Sequence, residues 1–168
     1  MRKSAPELRE IALRWLRATG SDEREAGIVA DHLVNANLRG HDSHGIGMIV
    51  AYDAFIRDGR LHPGTAPRLM KDAGDRGYGQ RIGHDATEQA IARARETGIC
   101  MYTIADTCHL GRIGTYGEQC ADAGMVSLHF VNVTNMHPLV APWGGADARF
   151  GTNPFCCAIP KTDAHPRF

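Results

Sequence analysis

The sequence predicts an α/β fold in two parts, a small N-terminal helical bundle followed by an incomplete α/β domain. Three observations predict it. Apolar residues recur at helical spacing in three successive segments before residue 60, with short polar joints between them. Beyond residue 85, helical patterns alternate with short β-branched or apolar runs. The last of these runs is followed by no helix to cover it, so the sheet reads as half built, with apolar surface and an edge left open.

Ser4-Ala5-Pro6-Glu7 is a capping box with proline in the first turn, and Leu8, Ile11, Ala12, Trp15 and Leu16 form the first helical stripe up to Gly20. Ser21, Asp22 and Glu23 open a second helix, with Ala26, Val29, Ala30, Leu33 and Val34 on one face and an end near Gly40. Asp42 and Ser43 offer a third N-cap, followed by Ile46, Ile49, Tyr52, Phe55 and Ile56. His62-Pro63-Gly64 is a turn, so the domains are expected at 1–62 and 63–168. Residues 65–84 read as an irregular loop or short strand. Asp85 and Glu88 start a fourth helix that runs to Thr97 and stops at Gly98. Residues 99–105 read as a strand, 113–123 as a helix, and 125–133 and 155–159 as two further strands.

Composition narrows the function. Hydrophobic residues make up 43% and charged residues 23% of the 168, as in an ordinary globular protein. Lys plus Arg and Asp plus Glu number 19 each, which argues against a nucleic-acid or anionic-membrane surface. No apolar run approaches a membrane span and the N-terminus is not a secretory signal, so a cytoplasmic location is expected. The five cysteines lack any Cys-x-x-Cys pair, which fits free thiols rather than disulfides or a metal site.

Three segments carry candidate chemistry. His109-Leu110-Gly111-Arg112-Ile113-Gly114 sits between an expected strand and an expected helix. A histidine there lies where open α/β sheets place ligands, close to helix-start N–H groups that suit an anion. Its alternative role is to cap or pack. His41-Asp42-Ser43-His44-Gly45 is the second candidate. Ser43 suffices as an N-cap, and consecutive residues rarely aim at each other, so Ser43 and His44 are not read as a nucleophile and base. The third comprises Pro142-Trp143-Gly144-Gly145 and Gly151-Thr152-Asn153-Pro154, where Thr152 and Asn153 can hydrogen-bond a carboxylate or amide, or where two turns merely join strands. Residues 77–83 imitate a dinucleotide-binding glycine pattern, but they follow Asp75-Arg76 rather than an apolar strand, and their spacing is wrong.

In this order, Gly40-His41-Asp42-Ser43-His44-Gly45-Ile46-Gly47-Met48, His109-Leu110-Gly111-Arg112-Ile113-Gly114, Asn132, Val140-Ala141-Pro142-Trp143-Gly144-Gly145 and Gly151-Thr152-Asn153-Pro154 resemble the malate/L-lactate dehydrogenase family, which includes ureidoglycolate, sulfolactate and piperideine-carboxylate oxidoreductases and is distinct from the Rossmann-type enzymes. The resemblance implies a non-Rossmann α/β nucleotide-binding domain, NAD or NADP as cofactor, a small 2-hydroxy or 2-oxo acid as substrate, and a homodimer. It implies Ser43, His44 and His109 as the catalytic set. Cofactor contacts are implied at His109, Leu110, Gly111, Arg112, Ile113 and Asn132, and substrate contacts at Thr152, Asn153 and Arg112. Where many members place a carboxylate-binding arginine, this chain has Met48, with Arg112 as the substitute. Family chains are about twice as long, and their later segment supplies a carboxylate for the histidine relay and much of the cofactor pocket. A catalytically inactive truncated remnant and a small-anion binding module are the alternatives to an oxidoreductase.

Overall fold

The structure, a computed structural model, describes residues 3–65, 76–134 and 137–162. Residues 66–75, within the stretch expected as loop or short strand, and residues 163–168 lie outside the described residues. The chain divides into two compact units, Met1–Arg112 and Ile113–Phe168, whereas the sequence suggests a boundary at 62/63.

The first unit is helical. α1 (Ala5–Ala18) begins at the expected capping box, in which the Glu7 amide donates to Ser4 Oγ and the Ser4 amide donates to Glu7 Oε2. α2 (Glu23–Leu38) starts at Asp22, whose carboxylate accepts from the Glu25 amide at 2.7 Å. The two helices pair through Leu13, Leu16, Ala26, Val29, Ala30 and Leu33, all buried. α3 (Met48–Arg57) adds Tyr52 to the same core. It starts later than Asp42 and Ser43 suggest, because residues 42–44 form a separate 3₁₀ turn. Asn37 on α2 pins that turn. Its Nδ2 donates to Asp42 and its Oδ1 accepts from the Ile46 amide at 2.8 Å. Met48 packs against the core.

α4 (Gly79–Thr97) corrects two expectations. It begins at Gly79, six residues before Asp85, so most of the glycine-rich stretch 77–83 lies within the start of the helix. The apparent capping residues have other duties, since Asp85 and Glu88 receive Arg24 Nη2 at 2.8 and 2.9 Å. Tertiary packing sets the true start. Tyr78, Gln80, Arg81 and Ile82 are all buried, and Arg81 ties α4 to α2 through Asp22 at 2.6 Å. Gly79 is required by close approach, because a Cβ there would collide with the carbonyl oxygens of Cys108 and His109.

Residues 99–105 do not form the expected strand. A strand needs a neighbour for its backbone groups, and this segment has none in a ladder among the described residues. Its apolar side chains also face water, with Ile99 at 81% and Met101 at 94% exposure. β-Branched content alone misled here. His109 therefore follows an irregular stretch rather than the end of a strand.

The second unit holds α5 (Gly114–Asp122), β1 (Ser127–Phe130) and β2 (Phe155–Ala158). The strands pair antiparallel with Ser127 opposite Ala158 and Phe130 opposite Phe155. Both are shorter than expected. α5 covers the face that carries His129, Cys156 and Ala158, all close to Gly117. The opposite face exposes Leu128, Phe130 and Phe155, with the two phenyl centroids 5.2 Å apart. The five cysteines are free, and no described helix is long and apolar enough to cross a membrane.

Two glycines separate packing from propensity. Gly79→Ala is expected to lower stability by about 1–3 kcal/mol, because backbone atoms cannot yield as side chains do. Gly27→Ala, on α2 with open space around it, is expected to be neutral or to stabilise by up to about 1 kcal/mol. Urea unfolding of both variants checks the contrast.

Candidate functional site

The first unit brings Ser43, His44 and His109 together. The 3₁₀ turn held by Asn37 presents Ser43 and His44. The imidazole centroids of His44 and His109 lie 5.1 Å apart and are tilted by 31°. Ser43 lies inside the 3₁₀ turn rather than at its N-cap, which is His41, and its Oγ meets His44 Nδ1 at 2.9 Å. The neighbours do face each other, contrary to the expectation for consecutive residues, because the tight turn bends one side chain back to the next.

His109 is held from below. Its Nδ1 lies 2.9 Å from the Tyr52 hydroxyl, which accepts a 2.5 Å hydrogen bond from Gln80 Nε2. Tyr52 and Gln80 are fully buried, and Tyr78 packs edge-on against Tyr52 with centroids 5.6 Å apart. Burial drives the Tyr52 hydroxyl well above its usual titration range, so it acts as a neutral donor and acceptor. His109 is mostly buried and lies beside His44, and burial first, then that neighbour, lowers its pKa to about 4. The pKa of His44 is lowered too, chiefly by burial and then by His41. Burial also raises the Cys108 thiol, which argues against a reactive thiolate.

His32 is a further participant that the sequence does not single out. It lies on α2, buried, and its Nε2 accepts the Arg112 amide at 2.8 Å. Gly111 has φ +74°, and a Cβ there would collide with the His32 ring. Burial, then Arg112 and the other two histidines, lowers the His32 pKa to about 3. The Arg112 amide and the open side of Gly111 thus pack on His32. Leu110 is half-buried and Ile113 buried.

Tyr52 and Gln80 were legible only in part. Tyr52 lies on the predicted apolar stripe, where a phenol signals a buried polar tip seeking a partner. Gln80 lies in the stretch read as loop, and no signal in the sequence marked it.

In the second unit, Asn132 follows β1, and Thr152 and Asn153 precede β2. The Val131 amide donates to the Pro154 carbonyl at 3.1 Å, so all three lie at one end of the ladder, and all three are exposed. Hydroxyl and amide groups of this kind suit a carboxamide or carboxylate. Among the described residues, His84, Asp85 and Glu88 bring possible metal-binding atoms close together, but Arg24 ion-pairs with both carboxylates and Arg81 with Asp85.

Comparison with known proteins places the chain in a family. A family model described as malate/L-lactate dehydrogenase matches residues 4–168. Hydroxycarboxylate dehydrogenase B of Escherichia coli (strain K12) is 47% identical over 157 residues, covering 89% of this chain and 43% of that protein. The L-lactate dehydrogenase of Cupriavidus necator is 37% identical over 173 residues, covering 99% and 50%. The solved malate dehydrogenase of Pyrococcus horikoshii OT3 superposes with a TM-score of 0.88 at 34% identity, covering 97% of this chain and 48% of that one. The chain spans about half the length of the curated relatives it matches.

The depressed histidines predict a pH dependence of stability. Between the ordinary histidine pKa of 6.5 and the folded values of about 4 and about 3, the unfolded chain binds more protons than the folded one. Stability should therefore fall as pH drops from 7 to 4. Urea unfolding at pH 7, 6 and 5 measures the slope, and His32→Gln should make it shallower.

Proposed function

Because the chain belongs to the malate/L-lactate dehydrogenase family, we propose that it carries the proton-transfer site of an NAD- or NADP-dependent oxidoreductase acting on 2-hydroxy acids. The observation that carries this reading is the His44–His109 pair. Each ring meets a hydroxyl through Nδ1, which leaves Nε2 of each as the nitrogen that can hydrogen-bond a substrate. Relatives named for hydroxycarboxylates, lactate and malate support the substrate class.

The side chains supply proton chemistry. Two half-buried imidazoles this close disfavour carrying two protons at once, so the pair holds a vacancy near neutral pH. In the oxidative direction a neutral ring takes the hydroxyl proton, and in the reductive direction the same ring returns it to the forming alkoxide. Ser43 orients His44. Met48 offers no charge to a substrate carboxylate, and that role is assigned to the Arg112 guanidinium. Thr152 and Asn153 are assigned to polar groups of the substrate. Asn132, with residues 109–113, is assigned to the cofactor, and the donor chemistry of Asn132 suits the nicotinamide carboxamide. When bound, the nicotinamide supplies the redox chemistry. A functional boundary at 62/63 then gives Ser43 and His44 to the helical part and His109 to the α/β part, in a cytoplasmic homodimer.

The test follows nicotinamide absorbance with a panel of 2-oxo acids, using both this chain and a chain extended to the length of its relatives. His44→Ala and His109→Ala should each lower kcat by roughly 10²- to 10⁴-fold in the extended chain. Retained turnover in both variants would remove the histidine pair from the mechanism.

A further inference from the structure

The buried pair beneath His109 has a direction. Gln80 Nε2 donates to the Tyr52 oxygen at 2.5 Å, and the Tyr52 oxygen lies 2.9 Å from His109 Nδ1. A tyrosine hydroxyl has one proton. While its oxygen accepts from Gln80, that proton is directed to the nearest acceptor, His109 Nδ1. An Nδ1 that accepts is unprotonated, so the neutral ring carries its proton on Nε2.

A protonated Nδ1 would either leave the buried Tyr52 proton without an acceptor among the described residues or require the Gln80 amide to turn. Its Oε1 is buried and has no hydrogen-bond partner among the described residues. The turned amide would place both of its N–H donors where that lone oxygen now sits. A buried carbonyl oxygen tolerates missing a partner better than buried N–H groups do. Burial also keeps the tyrosine neutral, which preserves the single proton on which the direction depends.

We propose that Gln80 and Tyr52 are positioning residues that lock His109 as the Nε2–H tautomer, presenting it to the site as a hydrogen-bond donor. The proposal rests on the reading of His109 as part of the active site given above. It also separates the two rings. His44 Nδ1 meets the exposed Ser43 hydroxyl, which can turn to donate or accept, so His44 keeps both tautomers. His109 donates a hydrogen bond to the substrate oxygen, and His44 can change protonation without disturbing a buried partner.

The tautomer is read directly, without turnover. The 168-residue chain, labelled with nitrogen-15 at histidine, is examined at pH 7 by two-bond proton–nitrogen correlation. The expected result is an unprotonated Nδ1 and a protonated Nε2 at His109. Tyr52→Phe and Gln80→Leu should each lower the ratio of Nε2–H to Nδ1–H forms by roughly tenfold, about the worth of one buried hydrogen bond. A protonated Nδ1 in the unaltered chain would overturn the proposal, as would an unchanged ratio in either variant once folded. If neither variant folds, the unaltered chain still decides. Because the signal is the tautomer, the lock can fail while the dehydrogenase reading stands, and that reading can fail in the nicotinamide assay while the lock holds.

Discussion

The contact between Gly79 and the backbone at Cys108 and His109 governs the histidine site. It allows α4 to begin against the segment that carries His109. With that start, Gln80 falls one residue later on the buried face, within reach of Tyr52. Arg81, next in line, anchors the helix to α2 through Asp22. Three consecutive residues thus do three separate jobs, which are close approach, hydrogen bonding and charge pairing. None of them depends on helix propensity, for which glycine is a poor choice.

The same logic explains which features were legible in the sequence. The first two helices were readable because caps, stripe and stop agree locally and tertiary packing only confirms them. The start of α4 was not readable, because Asp85 and Glu88 imitate a capping box while serving as partners for Arg24. Residues 99–105 have strand composition, but a ladder depends on a neighbour, and composition carries no information about neighbours. The paired strands of the second unit were found in place but drawn too long, since pairing ends where the partner turns away.

The site was legible to a similar degree. Ser43, His44 and His109 could be named because their neighbours and order matched a family pattern. Their convergence is a tertiary fact, as is the contact between Tyr52 and His109, 57 residues apart. The support beneath them stayed hidden, since Tyr52 looks like one more apolar residue and His32 like one more polar residue on α2. In each case the informative atom is a polar tip whose partner lies far along the chain.

The uncovered phenyl pair in the second unit bears on handling the chain. Leu128, Phe130 and Phe155 turn an apolar strip toward solvent. Attraction between such strips strengthens with warming over the ordinary laboratory range, because its origin is largely the entropy of water. Concentrated solutions should therefore cloud on heating well before the helices melt, and clear again on ice. Cold, dilute preparation suits this chain for the same reason that it weakens its stickiest surface.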